Sequence, residues 1–248
     1  MESVICVEHL SKSYGRIKAV DDFSFSVRGG TVFGLLGANG AGKSTVIECV
    51  LGTRKADTGT VSVLGMNPAA DRKTLFEQVG VQFQEAHYPE NIRVGELCEV
   101  TASLYRHPMD SMTLLRRMGI DDKVQKPVKD LSGGERQRLF VVLALIPDPK
   151  VVFLDELTTG LDARARRTVW KILEELKKEG LTILLTSHFM DEVEALCDEI
   201  CILRSGRPVF SGTIEEAIRR SPHEKFEDAY LWFTDEEGDQ DEDIRNDT

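Results

Sequence analysis

The run Gly37-Ala38-Asn39-Gly40-Ala41-Gly42-Lys43-Ser44, followed by Thr45, matches the order G-x-x-x-x-G-K-[ST] at every fixed position. This order suits a phosphate chain. Glycines let successive N–H groups turn inward around phosphate oxygens, which side chains would obstruct. Lys43 is placed to reach β- and γ-phosphates, Ser44 to give its hydroxyl to Mg²⁺, and a helix beginning here adds its positive end. A second chemical pair, Asp155-Glu156, closes the apolar run Val151-Val-Phe-Leu154. Two acids after an apolar strand often only mark a solvated strand end. Beside a phosphate loop they suit hydrolysis: Asp155 to hold hydrated Mg²⁺, Glu156 to polarise the water attacking the γ-phosphate. These residues imply ATP and Mg²⁺ as cofactors.

A third motif, Leu131-Ser132-Gly133-Gly134-Glu135-Arg136-Gln137, opens a helical pattern. Ser132-x-x-Glu135 is a capping box with two glycines easing the entry. The same helix end, left bare, can meet an anion. Both readings can hold together.

The elements that position these groups follow from periodicity. Val4 and Cys6, then Phe23, Phe25 and Val27, alternate with other residues and predict half-exposed antiparallel strands facing a core. Residues 31–36 are almost continuously apolar, as a buried central strand requires, and residues 44–51 read as a helix. Residues 60–64 alternate again. Val94, Leu97, Cys98, Thr101 and Leu104 recur at helical spacing, as do Met112, Leu115 and Met118. Residues 150–154 and 181–185 are buried strands, with helices over 164–178 and 190–197. Strands alternating with helices predict an α/β fold with a parallel central sheet, an N-terminal antiparallel β portion and a helical insertion. One domain then takes residues 1–88 and 148–212 as its core, 89–147 as a helical subdomain and 213–234 as a C-terminal extension. Residues 235–248 form an acidic tail with no apolar periodicity, expected to be disordered.

Composition narrows the partners. The 248 residues carry a formal net charge of −11, of which the tail holds −7 and the remaining body −4. A nearly balanced body offers no basic footprint for nucleic acid. The longest apolar stretch, residues 140–146, falls far short of the roughly 20 residues needed to cross a bilayer. No signal peptide opens the chain. Five cysteines without C-x-x-C spacing read as reduced core residues of a cytoplasmic protein.

Taken together, the chain resembles the nucleotide-binding subunit of an ATP-binding cassette (ABC) transporter, with a P-loop NTPase core, from its start to about Phe233. LSGGERQRL is similar to that family's signature, so Ser132, Gly133, Gly134 and Glu135 would touch nucleotide. By the same resemblance Tyr14 would stack on adenine, Gln84 would be the sensor glutamine and a metal ligand, Asp162 in TTGLD would belong to an inter-subunit loop, and His188 in TSH would contact the γ-phosphate. Read alone, Tyr14 suits a packing aromatic, and Gln82 competes with Gln84. A lone histidine after an apolar strand is usually structural. His188 nevertheless ends a strand parallel to that of Asp155, so both should emerge at one sheet edge.

Two positions depart from the family pattern: Glu135 stands where glutamine is common, and Leu157 where proline is common, which should loosen the backbone after Glu156. The resemblance further implies that phosphate loop and signature of one chain face different sites. Two chains, copies or homologues, would then close two ATP molecules between them and drive a membrane-spanning permease subunit from the cytoplasmic face. Residues 84–94 look like the stretch that receives its coupling helix. QEAHYPENIRVGEL, ELTTGLDARARRTVW and FEDAYLWFTDEE resemble the multidrug-type exporter branch, which carries drug-like, lipid or peptide substrates. The alternative is a soluble cassette ATPase of DNA repair or translation. Members of those groups add coiled coils or a second cassette, neither of which occurs here.

Overall fold

A computed structural model describes residues 3–82 and 88–235. Gln84 and the acidic tail beyond Asp235 lie outside those residues. Among the described residues, nine strands form two sheets. The smaller sheet is antiparallel, β2-β1-β4, from β1 (Ser3–Tyr14), β2 (Ile17–Arg28) and β4 (Thr58–Val63). The larger runs β5-β6-β7-β3-β8-β9, from β3 (Val32–Gly37), β5 (Val79–Gln82), β6 (Val151–Asp155), β7 (Thr182–Thr186), β8 (Glu199–Arg204) and β9 (Arg207–Gly212). Its strands are parallel except β9, which returns antiparallel on β8. Parallel strands need cover on both faces, which explains why β3 and β7 are buried at every residue.

One face of the large sheet meets the small one. Phe23, Phe25 and Val27 of β2 and Ile5, Val7 and Leu10 of β1 pack there with Phe33, Leu35 and Phe153. The inward side of β1 is therefore the opposite of that expected from Val4 and Cys6. Residues 4–7 are apolar on both parities, so alternation could not choose between them. Helix α1 (Lys43–Val50) lies in the same layer and buries Val46, Ile47 and Val50.

The other face carries the helices α3 (Val94–Ala102), α4 (Ser111–Arg117) and α5 (Gly133–Leu145), with α6 (Ala163–Lys178) beside them. Helix α6 places Val169, Ile172, Leu173 and Leu176 on one stripe; each such burial contributes about 1.5–3 kcal/mol. Helix α3 stops short of the expected reach: it ends at Ala102, and Leu104 is 72% exposed. Tyr88 and Ile92 are half-buried against the helical core, with the Tyr88 ring 6.2 Å from that of Phe140. Residues 84–87 of the expected docking stretch lie outside the described residues. A third cluster joins α7 (Met190–Leu196) and β8 to α8 (Ile214–Arg220) and α9 (Phe226–Thr234) through Val193, Ile202, Ala217 and Phe226. A short helix, α2 (Arg72–Leu75), precedes β5. No helix of the described residues is long and apolar enough to cross a membrane.

Candidate active site

Strands β6, β7 and β3 are neighbours, and their carboxyl ends open on one side. Open α/β sheets bind ligands at such ends. A cleft of about 370 Å³ lies there, lined by Ala19, Asn39, Gly40, Gly42, Lys43, Ser44, Thr45, Asp155 and Glu156. The loop between β3 and α1 wraps it. At Gly42 the backbone takes φ +108°, and a Cβ would stand 2.4 Å from the Ala19 carbonyl oxygen. Only glycine fits, because the β2 backbone approaches so closely. Ala41 is tied by its carbonyl to the Gly206 N–H at 2.9 Å, and its own N–H donates to the Ala38 carbonyl at 3.0 Å.

Lys43 is 9% exposed and donates from Nζ to the carbonyls of Gly37 (2.7 Å) and Ala38 (3.1 Å). Burial pulls its ammonium below the ordinary lysine value, against the opposing pull of Glu156 and Asp155. The cation thus rests on two carbonyls of the loop itself.

The two acids are fixed from adjacent strands. Thr186, opposite Asp155 in the β6–β7 register, donates its hydroxyl to Asp155 Oδ1. The Glu156 N–H donates to both the Thr186 hydroxyl and its carbonyl, at 3.1 and 3.2 Å. These bonds matter because Glu156 is a non-glycine residue at φ +49°. Such a conformation costs about 1–3 kcal/mol and persists only where surroundings impose it. Leu157 is 3% exposed and packs within the helical core. His188 Nδ1 stands 3.6 Å from Glu156 Oε1, and the His188 ring lies 4.1 Å from that of Phe189. The histidine and the acids do emerge together.

Other candidate residues sit elsewhere. Ser132 and Glu135 form the reciprocal capping box: the Ser132 N–H donates to Glu135 Oε2 at 2.8 Å, and the Glu135 N–H to Ser132 Oγ at 3.3 Å. The Ser132 N–H, joined by Lys126 and Lys123, holds the Glu135 carboxyl below its usual range. Asp162 caps α6, accepting from the Ala165 N–H at 2.8 Å. At Gly134 a Cβ would lie 3.2 Å from that of Ala165, so the Ser132–Glu135 turn rests on the Asp162 turn. None of these residues lines the phosphate cleft. Tyr14 does not line it either. It ends β1 and is 40% exposed.

Sequence reasoning passed over Thr186 and Ala19. A threonine ending an apolar strand beside an acidic strand end was the available signal for Thr186; Ala19 gave none. Gln82, considered only as a rival to Gln84, accepts a hydrogen bond from the Asp155 N–H at 3.1 Å.

Fold and site together define a P-loop nucleotide-binding ATPase. The family model described as ABC transporter matches residues 20–159. A "Nod factor export ATP-binding protein I" of Ralstonia nicotianae is 40% identical over 222 residues, taking in 87% of this chain and 68% of that protein. Its namesake in Rhizobium meliloti is 42% identical over 209 residues, 82% of this chain and 62% of that protein. The chain thus spans about two thirds of the length of these relatives. A solved ATP binding subunit of an ABC transporter superposes with a TM-score of 0.85 at 26% identity, covering 94% of this chain and 100% of that one. The chain belongs to the ABC transporter family as an ATP-binding, ATP-hydrolysing subunit.

Proposed function

We propose that this subunit powers export by closing on ATP with a second cassette chain. The observation that carries this reading is the separation within one chain of the phosphate cleft from the Ser132–Glu135 turn and Asp162. A second chain, a copy or a homologue, supplies those groups across the interface. Lys43 and the loop N–H groups hold the β- and γ-phosphates, Tyr14 stacks on adenine, Glu156 polarises the attacking water, and His188 contacts the γ-phosphate. Ser44 and Asp155 line the same cleft and offer the oxygen donors Mg²⁺ takes. Bound there, Mg²⁺ would neutralise charge between β- and γ-phosphates. Gln84 is a further ligand in this reading.

The partner is a membrane-spanning subunit at the cytoplasmic face, reached through the helical subdomain, residues 89–147, and its junction with the core. An open groove of about 450 Å³ at that junction, lined by Arg72, Lys73, Phe76, Glu77, Leu104 and Tyr105, supports this placement. The names of the two relatives support export; the cargo follows from the membrane subunit.

Mixing Ser132→Arg and Lys43→Ala chains tests the shared site. Each homodimer should be inactive. A mixed dimer has one site with both lesions and one with neither, so activity should return on mixing. Full-rate hydrolysis by a monomer would refute it. Leu104→Asp with Lys73→Glu should abolish copurification with a membrane subunit and leave the isolated ATPase intact. Failure to recover any membrane protein with the wild type would favour a soluble cassette ATPase instead.

A further inference from the structure

We propose that Arg54 and Glu48 are positioning residues that hold the Tyr14 ring for the nucleotide base. Tyr14 ends a strand that is pinned to the chain beyond α1. Asp57 accepts the Ser13 N–H at 2.7 Å and pairs with Lys12 Nζ at 2.7 Å. The backbone of Tyr14 is therefore fixed, while its ring is free to turn about its side-chain bonds unless something holds it.

Arg54 supplies the hold. Its guanidinium carbon lies over the Tyr14 ring, 5.4 Å from the centroid, with Lys12 Nζ 5.8 Å from the same point. A planar cation on an aromatic face is attracted by the ring's quadrupole. Glu48 pairs with the guanidinium through two hydrogen bonds: Arg54 Nε donates to Glu48 Oε2 at 2.9 Å and Nη2 to Oε1 at 3.4 Å. The Glu48 carbonyl also accepts the Thr53 and Arg54 N–H groups, at 3.0 and 3.1 Å, which shapes the turn carrying Arg54.

Glu48 lies one helical turn beyond Ser44 on α1. A helix of this length spans about 12 Å. The same rigid element thus carries Ser44 and, one turn or about 6 Å along it, Glu48 of the clamp on Tyr14. Base and phosphate subsites keep a fixed separation. A ring held in this way loses less rotational freedom when a base stacks on it.

This inference rests on the reading of Tyr14 as the adenine-stacking residue, and the experiment separates the two. ATP and inorganic tripolyphosphate binding are measured on the full chain for wild type, Tyr14→Ala, Arg54→Ala, Arg54→Lys, Glu48→Gln and Tyr14→Ala/Arg54→Ala. Arg54→Ala should weaken ATP about two- to fivefold and leave tripolyphosphate, which has no base, unchanged. Arg54→Lys should be intermediate, and Glu48→Gln should shift ATP in the same direction. The double variant should bind ATP no more weakly than Tyr14→Ala. If Tyr14→Ala binds ATP as tightly as wild type, the stacking reading falls and this one with it. If Tyr14→Ala weakens ATP while Arg54→Ala leaves it unchanged, stacking stands and the role of Arg54 is overturned. Tighter ATP binding by Arg54→Ala, as for a side chain that blocks the ring, overturns it too. Equal weakening of ATP and tripolyphosphate by Arg54→Ala would mean a purely structural role and also overturns it.

Discussion

Thr186 holds Glu156 by its backbone. The Glu156 N–H points at the Thr186 hydroxyl and carbonyl from the next strand, and the same hydroxyl donates to Asp155. One residue therefore holds the Asp155 carboxylate and the backbone of Glu156. Thr186→Val keeps the shape and removes the hydroxyl. Losing a hydrogen bond to a charged group costs about 1.5–3 kcal/mol, so turnover should fall about tenfold to a hundredfold. Thr186→Ser should recover most of it. Phosphate release at saturating ATP measures both.

Glu156→Gln should retain ATP and lose turnover. The amide keeps the side chain's size but cannot take a proton, and general-base catalysis contributes about 10²–10⁴-fold. ATP should persist on the variant in a nucleotide-retention assay. Turnover near that of wild type would remove Glu156 from the base role.

Glu135 links the cap of α5 to pH. Its carboxyl titrates below its ordinary 4.5, chiefly because it accepts the Ser132 N–H. A depressed folded-state value means the contribution to stability is present above the unfolded pKa. It is lost as pH falls through the folded one. Glu135→Gln can still accept the Ser132 N–H but does not titrate. Its thermal midpoint should fall less steeply than that of wild type as pH drops from 5 towards 3.

Thr158 is fully buried, and its hydroxyl has no hydrogen-bond partner among the described residues. An unmatched buried polar group is destabilising, and an apolar replacement of the same shape removes that cost. Thr158→Val should raise the unfolding free energy by about 1 kcal/mol. Denaturant unfolding with an unchanged slope would check it.

The phosphate loop and the two acids were legible because each needs fixed residue types at fixed spacing after a buried strand. That Asp155 and His188 share a sheet edge followed from two apolar runs being parallel. The phase of β1 was not legible, since Val4, Ile5, Cys6 and Val7 leave both faces apolar and only the partner sheet selects one. Nor was the grip of Thr186, which depends on which strand lies beside β6. The clamp on Tyr14 was hidden for a related reason: Arg54 and Glu48 read as ordinary surface charges until the turn after α1 brings them to the end of β1.

The buried placement of Lys43 bears on how this protein responds to salt. Exposed charges lose their reach within a Debye length, about 8 Å at physiological ionic strength, whereas enclosed ones are shielded far less. A cation resting on the carbonyls of Gly37 and Ala38 is out of reach of mobile ions. Raising the salt should therefore loosen a seated nucleotide less than it would one held by exposed charges.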